Sequence, residues 1–515
     1  MYVRKRVNKK VLNNDSLNIV CEELRTNDKK IVLCHGCFDL LHIGHINYLK
    51  KAKSLGEILI VTVTADEYVN KGPEHPIFNE NQRADHLSEL SIVNYVSINY
   101  SFDATEIIKS IKPAYYVKGI EYKNLDDDIT GNIKKEKQIV EKYGGEIYFT
   151  DEETYSSSNL LNSHFDIFPP GVKNYLENFR KKYSTQEIIK TIESLRTLNV
   201  LVVGDAIIDE YHYTRPLGQT GKGNVFSVQY KKEERFAGGA LAVANHIAGY
   251  TDTVTLLTGI GSNKADEKFI LKKLKKNIKP KFLNFSSGPT ILKKRYVDQD
   301  TDATKLFEVY YYDEYSCDKK LEQEACSWLN SNIKKYDVIV VPDFGNGFIV
   351  GEMINVLADN AKFLAVNTQI NSGNRGYNVI TKYKKVDFIS LNEPELRLAA
   401  HDKNSEIPVL AKKIASLLNS KYLAVTLGTQ GATMLTPEHK TKLLEIPALS
   451  TKVVDRVGAG DTFLSLASIC LAKNIKPDLA LFIANCAAAL GVQIVCNRES
   501  VDPIVLTKYI TTLLK

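Results

Sequence analysis

The sequence has few cysteines for its length, and they form no recognisable framework. Eight cysteines are scattered over 515 residues, and a chain this long can bury enough apolar surface to fold without disulfide bonds. Cys34 and Cys37 have C-x-x-C spacing, but no second pair follows at a zinc-binding spacing. These observations exclude a small disulfide-rich module, and we expect reduced thiols in a cytoplasmic protein.

An excess of charge of one sign is also missing. The 67 basic and 61 acidic residues leave a net charge of +6. Short lysine runs such as Lys272–Lys276 are interleaved with apolar residues, which is typical of solvent-facing helices. We therefore expect no nucleic-acid partner.

Long apolar runs are absent as well. The longest nearly uncharged stretch, Ile483–Cys496, contains Asn485 and Gln493 and is too short to span a bilayer. It predicts a buried helix. The basic residues 1–10 are not followed by the apolar core of a secretory signal, so we expect no membrane partner and no cleaved leader.

What the sequence does contain is two series of alternating strand-like and helical segments. The first runs over residues 31–165 and the second begins at Val200. Such alternation predicts parallel sheets with helices on both faces. Within the second series, Thr214–Phe236 has β-type alternation without a helix, which predicts a small β-lid. The predicted fold class is α/β, with two doubly wound parallel-sheet domains: a Rossmann-like domain over residues 1–165, a linker over 166–190, and a larger domain with the β-lid over 191–515.

A glycine-containing turn follows the first predicted strand and leads into a helix. Its chemistry-bearing residues are Gly36, Phe38, Asp39, His42, Gly44 and His45. The free N–H groups of a helix N-terminus favour an anion, and two histidines three positions apart can donate hydrogen bonds to the same phosphate.

This pattern resembles the cytidylyltransferase-like nucleotidyltransferases, and the resemblance covers roughly residues 31–161. It implies catalytic roles for His42, His45 and Lys118. It further implies nucleotide contacts from Gly36, Phe38, Asp39, Gly44, Arg83, Ser156, Ser157 and Ser158. Glu121 stands where the family usually has Asp. Class I aminoacyl-tRNA synthetases share H-x-G-H, but the Lys-Met-Ser-Lys-Ser-like loop that they need is missing from this sequence.

Near the C-terminal end, Gly458, Ala459, Gly460 and Asp461 open an apolar helix. Consecutive N–H groups at such a point form an anion hole for a phosphoryl group. A carboxylate placed there can accept the proton of an attacking hydroxyl. The segment therefore predicts phosphoryl transfer.

Residues from about 199 to 515 resemble the ribokinase-like (PfkB) sugar kinases. The resemblance implies Asp461 as catalytic base and Asn392 and Glu395 near Mg²⁺. It implies a nucleotide site formed by Thr426, Gly428, Gly431, Gly458, Ala459 and Gly460, and a sugar site formed by Asp205, Asp209, Gly238, Gly239 and Asn245. Residues 366–375 depart from the Asp-Pro-Lys stretch of heptose kinases, which leaves the sugar open.

The pairing of the two domains resembles the bifunctional ADP-heptose synthases, with the domain order reversed. It implies ATP-dependent phosphorylation of a heptose-like sugar or sugar phosphate. A second step would transfer a nucleotidyl group from ATP or CTP to a sugar 1-phosphate, with release of pyrophosphate. Two alternatives remain: a kinase and cytidylyltransferase for a polyol phosphate, or one domain that acts as a regulatory sugar-binding module. We also expect a homodimer formed through the β-lid.

Overall fold

The computed structural model divides into two compact units. One comprises Met1–Pro170 with Thr507–Lys515, and the other comprises Gly171–Leu506. The structure describes residues 10–69, 71–72, 75–122, 132–151, 168–301, 304–313, 317–438, 443–450 and 453–515. Each unit is built around its own parallel sheet.

The first unit is an alternating α/β sandwich. Its elements are α1 (Asn14–Thr26), β1 (Ile31–Gly36), α2 (Ile43–Lys53), β2 (Ile58–Thr64), α3 (Glu80–Ser88), β3 (Tyr95–Asn99), α4 (Thr105–Ile111), β4 (Tyr115–Lys118), α5 (Asn132–Lys142) and β5 (Glu146–Phe149). The strand order is β3-β2-β1-β4-β5, and all four pairings are parallel. The reversal of strand order next to β1 opens a crevice at the carboxyl ends of the strands, where this class of sheet binds ligands.

Alternation along β1 shows why this sheet has helices on both faces. Val32 and Cys34 belong to one buried apolar cluster, whereas Ile31 and Leu33 belong to another. Successive side chains of a strand point to opposite faces, so a strand that is apolar at every position must be covered twice.

The second unit contains a nine-stranded sheet. Its elements up to the middle of the unit are α6 (Pro170–Arg180), α7 (Thr185–Ser194), β6 (Asn199–Val203), β7 (Ala206–Gln219), β8 (Phe226–Gly239), α8 (Ala240–Ala248), β9 (Thr253–Ile260), α9 (Lys264–Lys273), β10 (Ile278–Asn284), β11 (Ile291–Asp298), β12 (Thr304–Tyr311), α10 (Lys319–Asn332) and β13 (Val338–Asp343). The remaining elements are α11 (Gly351–Asn360), β14 (Leu364–Thr368), β15 (Phe388–Asn392), α12 (Glu393–Ala400), α13 (Ile407–Leu417), β16 (Tyr422–Thr426), β17 (Ala432–Leu435), β18 (Leu444–Ile446), α14 (Ala459–Ala472) and α15 (Pro477–Gly491). The last helix of the chain is α16 (Pro503–Leu513), and its residues from Thr507 onward belong to the first unit.

Strand order in the main sheet is β10-β9-β6-β13-β14-β15-β16-β17-β18. The pairings from β10 to β16 are parallel, and the last two are antiparallel. All six residues of the central strand β13 are buried, as expected for a strand covered on both faces.

A second sheet of this unit has the order β12-β11-β7-β8, and we call it the lid sheet. The sequence predicts a small sheet only over Thr214–Phe236, whereas β7 and β8 together span residues 206–239 and two further strands join them. Asp209, a predicted sugar contact, lies within strand β7 of the lid sheet. The predicted α/β fold class with a β-lid is confirmed.

Residues 170–194, most of which fall in the predicted linker, form α6 and α7. Phe179 of α6 stacks on Phe482 of α15 with ring centroids 4.1 Å apart. The predicted buried helix over 483–496 is present as α15, but it starts earlier and ends at Gly491. Among the described residues, no helix combines the length and apolar character needed to cross a membrane.

Candidate functional site

In the first unit, the turn after β1 brings the two histidines together at the start of α2. His42 is the N-cap residue of this helix, and its Nδ1 accepts a hydrogen bond of 3.1 Å from the Gly44 N–H. The His42 and His45 rings have centroids 4.0 Å apart, and the Phe38 ring lies 5.4 Å from His45. Phe38 itself has a left-handed φ of 50°. The sequence thus builds a compact imidazole pair beside free helix N–H groups.

Both imidazoles are neutral near pH 7 in this arrangement. Burial lowers the pKa of His42, and burial together with His42 and Lys71 lowers the pKa of His45 to about 3. Lys71 is a nearby cation that no motif in the sequence singles out. A bound polyphosphate would bring negative charge to the pair and favour the protonated form of each ring.

Two residues predicted to contact the nucleotide are instead committed to the protein itself. Asp39 is buried and accepts hydrogen bonds from the Ile77 and Phe78 N–H groups and from His75. Arg83 is fully buried; its guanidinium donates to the carbonyls of residues 78, 37 and 64 and to Asp66. These two side chains hold the loop segments that surround the imidazole pair.

Lys118 lies at the end of β4 and is also buried. Its Nζ is 3.3 Å from the carboxylate of Glu136 on α5, which additionally accepts hydrogen bonds from Tyr116 and from the Ala104 N–H. Glu136 was not anticipated, since it lies on an ordinary polar helix. Ser156, Ser157 and Ser158 lie outside the described residues.

The second unit contains a cavity of about 1050 Å³ that most of its predicted site residues line. These residues are Asp209, Asn392, Glu395, Thr426, Gly428, Gly431, Gly458, Ala459, Gly460 and Asp461. They come from the lid sheet, from the carboxyl ends of β15 and β16, and from the start of α14. The structure therefore joins segments that are more than 200 residues apart in the chain.

Asp461 occupies the first turn of α14. Gly458 has a left-handed φ of 93° and ends the preceding loop, so that the helix starts at Ala459 with its N–H groups open to the cavity. Burial and the nearby Asp209 raise the pKa of Asp461 to about 7. A carboxylate with such a pKa is well matched to taking up a proton near neutral pH.

Asn392 and Glu395 form a capping box at the start of α12. The Asn392 side chain accepts a hydrogen bond from the Glu395 N–H, and the Glu395 carboxylate accepts one from the Asn392 N–H. Burial raises the pKa of Glu395 to about 7. Among the described residues, no lysine or arginine forms an ion pair with Glu395.

Asp209 faces the cavity from β7 and pairs with Arg295 of β11. The backbone at Gly238 approaches Asp209 so closely that a Cβ at this position would overlap the carboxylate. Gly239, at a φ of 59°, would clash with the backbone of Asp205 in the same way. These two glycines leave space for the carboxylate of Asp209 and for the backbone of Asp205, and they do not line the cavity themselves.

Two other predicted sugar contacts do not reach this cavity. Asp205 is completely buried, where it accepts hydrogen bonds from the N–H groups of Asn346 and Phe348. Burial and Asp343 raise its pKa to about 6. Asn245 bonds instead to the Lys273 carbonyl and the Lys275 N–H, and it lines a separate depression of about 180 Å³.

Several cavity residues were missed by the sequence motifs. Lys293 and Arg295 alternate along β11 and line the cavity beside Asp209, and Asn485 of α15 lines it as well. Asn367 and Arg375 also line it, and they belong to the segment that departs from the heptose kinases. An alternating strand signal is present at β11, but nothing in it indicates which face meets the cavity.

Comparison with known proteins adds independent findings. Residues 197–500 match the family described as pfkB family carbohydrate kinase, and residues 33–191 match the family described as cytidylyltransferase-like. The chain thus has a nucleotidyltransferase-type domain ahead of a kinase-type domain. It belongs to the pfkB family of carbohydrate kinases, and the predicted pairing of the two domain types is confirmed.

Curated relatives match over only part of their length. The bifunctional protein HldE of Syntrophotalea carbinolica is 34% identical over 165 residues, which is 32% of each chain. HldE of Helicobacter pylori strain G27 is 43% identical over 148 residues, or 28% of this chain and 30% of that protein. The match therefore spans about a third of the length of these relatives.

Solved structures also align with this chain. Phosphofructokinase-2 from Escherichia coli, in complex with substrates and products, is 13% identical with a TM-score of 0.49, covering 62% of this chain and 100% of its own. A ribokinase from Thermotoga maritima is 19% identical with a TM-score of 0.48, covering 61% and 99%.

Proposed function

We propose that the second unit phosphorylates a heptose-like sugar or sugar phosphate with ATP, and that the first unit transfers a nucleotidyl group from ATP or CTP to the resulting sugar 1-phosphate. The kinase proposal depends on one observation: Asp461, the first N–H groups of α14 and the Asp209 carboxylate all line the same cavity. The product is a nucleotide-activated sugar, as in the ADP-heptose synthases that the chain resembles.

In the kinase step, Asp461 accepts the proton of the acceptor hydroxyl as its oxygen forms a bond to the γ-phosphorus of ATP. The bond from that phosphorus to the β-phosphate oxygen breaks, and ADP leaves. The N–H groups of Ala459 and Gly460 face the cavity and stabilise the charge on the transferring phosphoryl group. Thr426, Gly428 and Gly431 line the same cavity and provide the nucleotide side of the site.

The donor set of this site fits Mg²⁺. Glu395 supplies a buried carboxylate without a cationic side chain paired to it among the described residues, and Asn392 supplies an amide oxygen at the same helix start. Such oxygen ligands suit Mg²⁺, directly or through water. When bound, the ion would neutralise phosphate charge. Its approach would also lower the pKa of Glu395, because a nearby cation favours the ionised form.

The residues around Asp209, where the sugar would bind, favour an acceptor that already carries a phosphate. Asp209 can accept hydrogen bonds from sugar hydroxyls, and it forms an ion pair with Arg295. Lys293 lies in the same wall, and burial lowers its pKa. Arg375 lines the cavity too. Lys293 thus adds a positive charge beside Asp209, which suits a sugar that already carries a phosphate.

In the nucleotidyl step, a sugar 1-phosphate oxygen attacks the α-phosphorus of the triphosphate, and pyrophosphate leaves. His42 and His45 lie at the helix start where that phosphate would bind, with Lys71 nearby. Lys118, held in place by its ion pair with Glu136, contributes a positive charge that helps to hold the nucleotide. Gly36 and Gly44 keep the loop and the helix start close to the phosphates, and Phe38 supports the His45 ring.

Product analysis by mass spectrometry tests both steps. Purified protein would be incubated with Mg²⁺, ATP or CTP, and a panel of sugars, sugar phosphates and polyol phosphates, alongside the Asp461→Asn and His45→Ala variants. We expect a sugar bisphosphate that Asp461→Asn fails to form and a nucleotide sugar that His45→Ala fails to form. A CDP-polyol as the main product would overturn the sugar assignment, and absence of any phosphorylated product would overturn the kinase assignment.

We further propose a cytoplasmic homodimer formed through the outer face of the lid sheet. Phe307, Val309 and Tyr311 alternate along β12 and are each at least 36% exposed, and Tyr296 stacks on Phe307 beside them. An apolar row of this kind favours burial against a second copy. Sedimentation should show a dimer that Phe307→Asp converts to a monomer; a monomeric wild type at micromolar concentration contradicts the dimer.

The cytoplasmic location is supported by the cysteines. All eight carry free thiols, which suits a reducing compartment.

A further inference from the structure

Asp455 lies in the loop that leads into α14, three residues before Gly458. Its side chain is only 10% exposed. Neither the sequence motifs nor the proposed mechanism gives this carboxylate a role. Because a buried charge is costly unless it is paired and hydrogen-bonded, its partners indicate which parts of the structure it holds together.

Each carboxylate oxygen of Asp455 accepts two hydrogen bonds. Oδ2 accepts one of 2.8 Å from the Tyr211 hydroxyl and one of 3.0 Å from the Cys496 N–H. Oδ1 accepts one of 3.1 Å from the Val457 N–H and one of 3.2 Å from the Lys305 ammonium group. Two of these donors belong to the lid sheet, and the other two belong to the loops before α14 and after α15. One carboxylate therefore joins strands β7 and β12 to the turn that begins α14.

The two lid donors are connected to the acceptor side of the cavity. Tyr211 is two residues after Asp209 on β7. Lys305 of β12 pairs with Val297 of β11, the strand that lies directly beside β7. Since hydrogen-bonded strands hold one another in register, a shift of these donors relative to the turn would also displace the Asp209 carboxylate.

The Val457 N–H is connected to the phosphoryl side of the cavity. Val457 immediately precedes Gly458, whose left-handed backbone turns the chain into α14. The next two residues, Ala459 and Gly460, present their N–H groups to the cavity. A fixed Val457 N–H therefore fixes the point from which the anion hole begins.

Apolar packing joins the same two parts of the structure. A buried cluster comprises Tyr211, Tyr213, Phe236 and Val297 of the lid sheet together with Cys496, and Val457 packs against it. Burial acts to raise the pKa of Asp455, but its four partners outweigh burial and hold the pKa below the ordinary value. The group is therefore an ionised carboxylate near pH 7, and all four contacts are made in its charged form.

We propose that Asp455 is a positioning residue for phosphoryl transfer: it holds the lid strands and the turn before α14 in one arrangement, and so sets the separation between the acceptor hydroxyl and the phosphoryl group. This inference rests on the proposed kinase function. Reacting atoms must lie about 3 to 3.5 Å apart, and a misplacement of about 1 Å can cost about 10²-fold in rate. The acceptor side and the phosphoryl side of this cavity come from different segments, so a residue that contacts both controls their spacing.

Amide hydrogen exchange tests the link without turnover. Mass spectrometry would follow a peptide that spans residues 453–461 in the full-length protein, without nucleotide or Mg²⁺. Tyr211→Phe and Lys305→Met change only the lid sheet. We expect each to speed exchange of this peptide about 3- to 10-fold, because the carboxylate that holds the Val457 N–H loses one of its partners.

Matched changes elsewhere on the lid sheet are the controls. Tyr230→Phe and Lys231→Met alter exposed side chains of β8 and should leave exchange of residues 453–461 unchanged. Exchange at the wild-type rate in both Tyr211→Phe and Lys305→Met overturns the proposal.

Kinetics of the kinase reaction supply the second arm. Tyr211→Phe and Lys305→Met should lower kcat about 3- to 10-fold, and Asp455→Asn about 10- to 100-fold, while KM for ATP stays within about twofold of wild type. This split is expected because the link acts on the relative placement of two bound groups and not on the binding of either. In the Asp455→Asn background, Lys305→Met should cost less than about twofold, since its partner charge is already gone.

Nucleotidyl transfer by the first unit serves as the internal control and should be unchanged in every variant. A loss confined to KM, or an equal loss of both activities, would indicate a merely structural residue and overturn the proposal. If wild type phosphorylates no acceptor while Tyr211→Phe still speeds exchange at the turn, the kinase proposal fails and the link between the lid sheet and the turn stands.

Discussion

Asn392 and Glu395 hold each other by two reciprocal hydrogen bonds, of 2.8 and 2.9 Å, each from the backbone N–H of one residue to the side chain of the other. This capping box explains why the N-x-x-E spacing fits a helix start as well as a metal site. It also fixes the carboxylate in a buried position where ionisation is costly, since burial raises the pKa of Glu395 to about 7.

Replacement of Glu395 by Gln should therefore stabilise the metal-free protein at alkaline pH. The folded-state pKa lies above the ordinary value of 4.5, so the favourable contribution of the protonated group is complete below pH 4.5 and is lost as the pH rises through about 7. Glutamine keeps the capping box and does not titrate. We expect a gain on the order of 1 to 3 kcal/mol at pH 8 and little gain at pH 4.5.

Urea unfolding at the two pH values measures this difference. Glu445→Gln, at an exposed position on β18, serves as the matched control and should change stability equally at both. A Glu395→Gln gain that is the same at pH 4.5 and pH 8 would mean that ionisation of the buried carboxylate is not its source.

Asp461→Asn should remove kinase activity and leave nucleotidyl transfer intact. Asparagine cannot accept the hydroxyl proton, and loss of a general base costs about 10² to 10⁴ in rate. Release of ADP, followed with a coupled assay, measures the first activity, and release of pyrophosphate from added sugar 1-phosphate measures the second. The exposed Asp359→Asn on α11 is the control. Retention of more than a tenth of the wild-type kcat would exclude Asp461 as the base.

In wild type, kinase activity should rise with pH through about 7, where Asp461 becomes ionised. The direction follows from the role of the group, because only the carboxylate form accepts a proton. A profile of kcat/KM from pH 5 to 9 at saturating Mg²⁺ measures the limb. Activity that falls over this range as the pH rises would instead identify an essential acid.

Arg83→Met should act on folding and not on nucleotide affinity. The guanidinium is fully buried and satisfies three backbone carbonyls together with Asp66. Removal of a buried charge that serves several partners costs about 3 to 5 kcal/mol. Urea unfolding of the first unit should show this loss, whereas Lys51→Met on the exposed side of α2 should show almost none. A normally stable Arg83→Met protein with a raised KM for the nucleotide would restore the role that the sequence suggested.

His45→Ala should lower nucleotidyl transfer by about 10²-fold or more while the kinase reaction continues, since a donor beside the α-phosphate acts mainly in the transition state. His86→Gln, at an exposed position on α3, is the control. Initial rates of pyrophosphate release distinguish the two. A loss confined to KM would place His45 in ground-state binding only.

The sequence predicted the site correctly where the residues that carry the chemistry are neighbours in the chain. The H-x-G-H turn and the Gly-Ala-Gly-Asp turn each sit at the start of a helix, because glycine and capping requirements act locally. Arg83 shows the limit of this approach. Its place in a family segment indicates a ligand contact, whereas the tertiary structure surrounds it with carbonyl groups that no local pattern reveals.

The sequence also does not reveal which residues form the sugar-binding side of the cavity. Asp205 and Asp209 are four residues apart in the chain, yet one anchors the loop at residues 346–348 and the other lines the cavity. The difference arises because the lid sheet begins at Ala206. Asp205 precedes β7, whereas Asp209 lies within it and shares the cavity face of the strand with Ile207. Lys293 reaches the cavity through the parallel pairing of β11 with β7, a long-range contact with no signature in the sequence.

The neutral imidazole pair of the first unit has a thermodynamic consequence. Since His42 and His45 are unprotonated near pH 7, a polyphosphate that raises their pKa must draw protons from the surrounding solution as it binds. The heat of association measured by calorimetry should then vary with the ionisation enthalpy of the buffer, with a slope equal to the number of protons taken up. Affinity for the triphosphate would increase as the pH falls, so binding of the nucleotide at the turn with His42 and His45 is linked to proton uptake.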